Sequence, residues 1–220
     1  MSNYANQAII DIIKRNRIST TEIADCLGKT GDISGVCALN RGHFAVGNVN
    51  SVFAINDSNW ETHKMLRNVT AGDIVLVIPI NCSSRAIFGS LVSRFVLLYR
   101  QAAALVVKGY LRDIPHLIKE DYPIWCYGGT PIGCYNREIE ITEEIQSQID
   151  IYHAIYRGSI AVCDDSGVVV IPKLYINDKF VEKLHFIEEQ EDIWFDCIDR
   201  KKWDTFDTVC LKKYLGDDSQ

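Results

Sequence analysis

The run Ile74-Val75-Leu76-Val77-Ile78-Pro79-Ile80 constrains this chain more than any other stretch. It is apolar at every position, so as a strand it must be covered on both faces of the pleat, the condition met by a central strand with helices on either side. It is also far shorter than the ~20 apolar residues that cross a bilayer. The turn Thr70-Ala71-Gly72-Asp73 precedes it, and Ala103-Leu105-Val106-Val107 repeats its character further on.

Helical patterns lie between and around these strands. Ala5, Ile9, Ile10, Ile12 and Ile13 form an amphipathic first helix, and Ser19 with Glu22 makes a capping box for a second that stops at Gly28. Ser58 and Glu61 read as the same device before Thr62–Leu66, after a strand at Val52–Ile55. A helix is expected from Gly89 to Tyr99, another over Ile114–Lys119 with Pro115 in its first turn, then a strand at Ile124–Cys126. The runs 148–156, 159–163 and 167–171 read as short β segments, with Asp164-Asp165-Ser166-Gly167 as a hairpin turn. After Pro172 the chain becomes charged and helical, with Phe180, Leu184, Ile187, Ile193, Phe195 and Ile198 on a rough apolar stripe. Alternating strands and helices predict an α/β fold. We expect one core over residues 1–175 with a central mixed sheet flanked by helices, and a helical arm over 176–220. The arm's Trp194, Phe195, Trp203 and Phe206 are more aromatic surface than a solvated tail exposes, so it is expected to pack on a neighbouring subunit.

Charge narrows the partners. Lys and Arg number 23 against 29 Asp and Glu, a formal charge of −6, which argues against direct nucleic-acid binding because phosphate contacts need clustered cations. The eight cysteines show no C-x-x-C spacing and read as reduced, mostly buried thiols. With no basic-then-apolar start and no membrane-length run, the expectation is a cytoplasmic protein without a membrane partner.

In open α/β sheets, ligands bind beyond the carboxyl ends of the strands. Two segments fall there: Gly89-Ser90-Leu91-Val92, where a loop enters a helix, and Arg112-Asp113, just past the second apolar strand. A guanidinium matches a carboxylate, first-turn amides can hold the same anion, and an adjacent aspartate offers oxygens to a hard cation. His116 reads equally as a metal ligand or proton carrier and as a solvent-facing helix residue. His43, His63, His153 and His185 show no ligand spacing and receive no role.

Several segments occur together in one order: Ala71-Gly72-Asp73-Ile74-Val75, Gly89 to Val92, Val106-Val107-Lys108-Gly109-Tyr110-Leu111-Arg112-Asp113, Tyr122-Pro123-Ile124-Trp125, Gly128-Gly129-Thr130-Pro131, and Asp164 to Pro172. Over residues 15 to 205 or so, the chain resembles the RraA-like family, which unites 4-hydroxy-4-methyl-2-oxoglutarate aldolases with the regulator of ribonuclease activity A. The resemblance implies a swivelling β/β/α fold and homotrimers or homohexamers with sites between subunits. It implies a divalent cation, Mg²⁺ or Mn²⁺, held by Asp113 largely through water, and a small 2-oxo acid held by Arg112 and the amides of Gly89, Ser90, Leu91 and Val92. Glu191 of a neighbouring subunit, with Glu188 as the alternative, would complete the site. The implied chemistry is retro-aldol cleavage of a 4-hydroxy-2-oxo acid, or oxaloacetate decarboxylation, through the pyruvate enolate, with proton transfer by metal-bound water.

The chain departs from the family pattern at four places. Ser90 stands where the aldolases carry an acid, His116 stands where an acid is usual, the interval from Gly89 to Arg112 is one residue longer, and Arg157-Gly158-Ser159 replaces Pro-Gly-Asp. Two further readings therefore stand beside the lyase: a diverged enzyme of the family with a different substrate, and a non-catalytic protein-binding regulator.

Overall fold

The structure is a computed structural model describing residues 2–216, with side chains from residue 6. The side chain of Ala5 and the last residues of the predicted arm, 217–220, lie outside the described residues.

A seven-stranded mixed sheet organises the chain. In sequence its strands are β1 (Cys37–Ala38), β2 (Ala45–Ile55), β3 (Ile74–Ile80), β4 (Ala104–Leu111), β5 (Ile124–Gly129), β6 (Ile160–Asp164) and β7 (Gly167–Ile171). In space the order is β1-β5-β4-β3-β2-β6-β7, so the apolar run at 74–80 is the middle strand. The pairs β2·β3, β3·β4 and β4·β5 are parallel, while β1·β5, β2·β6 and the β6·β7 hairpin are antiparallel. The hairpin closes at Asp164 opposite Gly167, where the turn chemistry placed it.

Strand β3 divides its side chains between two cores. Ile74, Leu76, Ile78 and Ile80 face one with Phe53, Trp125, Ile145 and Ile149, and Val75 and Val77 face the other with Val96, Leu105, Val107 and Leu117. The helices covering these faces and the hairpin are α1 (Ser2–Asn16), α2 (Thr20–Cys26), α3 (Trp60–Met65), α4 (Ser90–Arg94), α5 (Ile114–Lys119), α6 (Glu143–Tyr156) and α7 (Asp178–Asp199). A third core joins Ile9, Ile10 and Ile13 of α1, Ile23 of α2, Val162 and Ile171 of the hairpin, and Phe180, Leu184 and Ile187 of α7.

Two local expectations are corrected. The segment 148–156 is the end of helix α6: Thr142 caps its start, and Ile145, Ile149, Tyr152 and Tyr156 recur at helical spacing against the first core. Its isoleucines and tyrosines favour strands locally, but the helix buries one stripe of them and leaves Ile151 and Ile155 exposed. The Ser58–Glu61 capping box does not form. Asn59 is the cap residue of α3, Glu61 pairs with Lys64, and the Ser58 hydroxyl donates to the Arg137 carbonyl at 2.6 Å. The Ser19–Glu22 box does form. The predicted helix 89–99 is α4 followed by a π-helical turn, Phe95–Tyr99. Of the arm's stripe, Phe180, Leu184 and Ile187 are buried on their own chain, while Ile193 and Phe195 are exposed.

Candidate active site

The sheet extends past the end of β3 through Ala86-Ile87-Phe88. Ile87 N donates to Tyr110 O at 2.9 Å and Arg112 N donates to Phe88 O at 3.0 Å, which brings Gly89 beside the Arg112-Asp113 pair. The β4·β5 register slips between Val107 and Tyr110, leaving an extra β4 residue just before that pair. Such a bulge re-aims the strand end and occurs often at active sites.

Asp113 sits at φ +59°, in the left-handed region that aspartate tolerates better than most residues, at the start of α5. Its carboxylate does not cap α5. Instead Oδ2 accepts from Ser90 N at 3.1 Å and Ser90 Oγ at 3.3 Å, which leaves Oδ1 without a protein hydrogen bond among the described residues. Gly89 is required by this approach. A Cβ there would lie 2.2 Å from Asp113 Oδ2 and 2.8 Å from Arg112 Cγ.

Arg112 is exposed, and among the described residues its guanidinium makes no hydrogen bond or ion pair with protein. It lies against the bare backbone of Gly133, where a Cβ would come within 3.1 Å of Nη1. An uncommitted guanidinium held over a glycine is arranged for an external anion.

Arg112, Asp113, Gly89, Leu91 and Val92 line one cavity of about 150 Å³, together with Asn59, His63, Cys134 and Asn136. Ser90 reaches it only through its bond to Asp113. Asn59 Nδ2 donates to Ile87 O at 2.8 Å, while Asn59 Oδ1 is buried with no hydrogen-bond partner in the structure. An unpaired buried acceptor costs about 1–3 kcal/mol. His63 stands one turn further along α3, and partial desolvation lowers its pKa from the ordinary 6.5, favouring the neutral ring near pH 7. A second cavity of about 370 Å³ adjoins, walled by Leu66, Arg67 and Phe95 and sharing His63, Leu91 and Val92 with the first.

The other predicted residues stand elsewhere. His116 lies on the exposed side of α5, 3.6 Å from Glu120, and does not line the cavity. Glu191 of the same chain is on α7, where desolvation and then the charges of Glu22 and Asp25 raise its pKa, and it does not line the cavity either. Among the described residues no group of three or more His, Cys, Asp or Glu could hold a metal. What the structure offers a cation is Asp113 Oδ1. A single carboxylate suits Mg²⁺, which usually keeps several waters and takes one or two protein oxygens.

Asn59 and His63 escaped the sequence reading because neither belongs to a spacing motif. The usable signal was position: β2 ends at Ile55, parallel to β3, so the segment after it opens at the same edge as Gly89 and Arg112. A larger cleft of about 650 Å³, lined by Asn50, Ser51, Asp73, His153 and Arg157, lies at the opposite edge of the sheet. There Asp73 is committed to Thr70 and Asn50, and His153 to Ser51 at 3.2 Å.

The chain is similar to several known proteins. A Halalkalibacterium halodurans protein named "Putative 4-hydroxy-4-methyl-2-oxoglutarate aldolase" is 32% identical over 174 residues, covering 76% of this chain and 80% of that protein. An uncharacterized protein from Pseudomonas syringae pv. tomato superposes with a TM-score of 0.72 at 20% identity, covering 94% of each chain. RraAS2 of Streptomyces coelicolor, described as an unusual member of the RNase ES inhibitor RraA family, gives 0.61 at 22% identity over 80% of this chain and 91% of its own. These two share the fold. The family model described as Aldolase/RraA matches residues 20–170, and the chain belongs to the RraA-like family.

Proposed function

We propose that this chain is a divalent-metal-dependent lyase acting on a small 2-oxo acid. One observation carries the reading: a guanidinium without a protein partner among the described residues, and a carboxylate with one oxygen likewise free, line the same small cavity at the carboxyl ends of the parallel strands. The relative named as an aldolase supports it.

Arg112 binds the carboxylate and 2-oxo oxygen of the pyruvyl group, and of the amides of Gly89, Ser90, Leu91 and Val92 expected to hold the same anion, that of Ser90 is committed to Asp113 Oδ2. Asp113 Oδ1 is the proposed ligand of Mg²⁺ or Mn²⁺, and Glu191 of a neighbouring copy is proposed to close the site. When bound, the cation would supply Lewis acidity beside the 2-oxo group. As the C3–C4 bond of a 4-hydroxy-2-oxo acid, or the carboxylate bond of oxaloacetate, breaks, negative charge collects on that oxygen. The fixed positive charge of Arg112 stabilises it there.

The test is pyruvate release from 4-hydroxy-4-methyl-2-oxoglutarate and from oxaloacetate, with and without Mg²⁺ or Mn²⁺. Asp113→Ala should abolish the metal dependence, and Arg112→Ala should cost roughly 10²-fold or more in rate, as loss of an oxyanion donor does. If neither substrate is cleaved and a stable protein partner is captured instead, the regulator reading replaces this one. Cleavage of only other 2-oxo acids would mark the diverged enzyme, which the serine at position 90 favours.

A further inference from the structure

We propose that His63 is the proton carrier of this site, taking the proton from the substrate's 4-hydroxyl and returning it to C3 of the enolate. The inference rests on the lyase reading and assigns a step to a residue that no motif marks.

A cavity of about 150 Å³ is well below the ~300–1,000 Å³ usual for ligand sites, so it encloses the pyruvyl end and little else. We place the rest of a 4-hydroxy-2-oxo acid in the adjoining cavity of about 370 Å³. The bond to be cleaved, C3–C4, then lies where the two cavities meet, beside the residues that line both. Those residues are His63, Leu91 and Val92. Of these only His63 can move a proton.

Its surroundings suit the task. No ion pair or hydrogen bond occupies its ring among the described residues. Its backbone N–H donates to Asn59 O at 3.0 Å, which ties it to a residue that lines the same cavity and is held to the Ile87 carbonyl. The charged groups lining the two cavities with it are Arg67, just beyond its own helix, and Arg112 and Asp113 across the cleft. The neighbouring Lys64 is held by Glu61 and Glu138.

The step balances without a co-reactant. An imidazole nitrogen takes the hydroxyl proton, and the O–H pair becomes the new C4–O π bond. The C3–C4 pair moves into the enolate, whose oxygen faces Arg112. The imidazolium then protonates C3, giving pyruvate and a carbonyl product.

The experiment follows exchange of the pyruvate methyl protons in D₂O by NMR, with Mg²⁺ present, in the wild type, His63→Gln and Arg112→Ala. Pyruvate binding is measured in parallel by calorimetry and folding by Tm. His63→Gln should keep Tm and pyruvate affinity while exchange and retro-aldol rates both fall roughly 10²-fold, the usual worth of a general acid–base. The acid limb of the kcat/KM profile, expected below pH 6.5 because a lowered pKa leaves the ring neutral above it, should vanish in the variant. Wild-type exchange in His63→Gln, with exchange abolished in Arg112→Ala, overturns the role of His63 and leaves the lyase reading intact. Absence of both binding and exchange in the wild type overturns both.

Discussion

Replacing Gly89 by alanine tests the geometry most directly. The backbone at Gly89, φ −141° and ψ −150°, is open to any L-residue, so the substitution brings no conformational strain. The added Cβ would lie 2.2 Å from Asp113 Oδ2, and ordinary contact begins near 3.4 Å, so the carboxylate must retreat by about 1.2 Å. Arg112 Cγ at 2.8 Å must give way as well. A misplacement of about 1 Å in positioned groups costs about 10²-fold in rate. The stability cost is small by comparison. The Ser90–Asp113 hydrogen bonds are exposed and worth about 1 kcal/mol, which corresponds to a Tm shift of about 2–4 °C in a chain of this size. The expected outcome is a folded variant with nearly all pyruvate release lost, read by coupled pyruvate assay and thermal melt. Full activity at a normal Tm would refute the claim that the position of Asp113 matters, and with it the placing of the cation.

Trp125, fully buried, donates through Nε1 to the Asp164 carbonyl at 2.7 Å and so ties β5 to the β6·β7 hairpin. Trp125→Phe should cost about 1–3 kcal/mol for the carbonyl left unpaired, measured by urea unfolding, and an unchanged midpoint would show that the bond contributes nothing. On the arm, α7 buries Phe180, Leu184 and Ile187 against its own chain, yet leaves Phe186 61% and Phe195 64% exposed. We propose that this outer face packs on another copy: the wild type should be oligomeric at micromolar concentration by light scattering, and Phe186→Glu with Phe195→Glu should shift it toward monomer. A monomeric wild type would sink that proposal.

The fold was legible where local chemistry and burial agree. The run at 74–80 had to be a strand covered on both faces, and it is the middle strand with a separate core on each side. The Ser19–Glu22 box and the 164–167 turn formed because each is satisfied by its own backbone within a few residues. Where two local preferences competed, the reading failed. Residues 148–156 carry strand-favouring side chains, but a surface waiting over Phe53 and Leu76 rewarded helical spacing. Ser58 left its cap for the Arg137 carbonyl, 79 positions away in sequence.

The same division runs through the site. Arg112, Asp113 and the turn at Gly89 were marked by the sequence because their chemistry and their place at strand ends are both written in order along the chain. That Asp113 turns to Ser90, that Arg112 has no protein partner among the described residues, and that Asn59 and His63 share its cavity came only from the tertiary structure. These depend on three strand ends meeting at one edge of the sheet, and parallel pairing brings together residues that sequence distance keeps apart. Sequence patterning sets which residues must be buried and which turns can form; the packing of the sheet sets which polar groups are left over, and a leftover polar group beside a cavity is what a ligand can use.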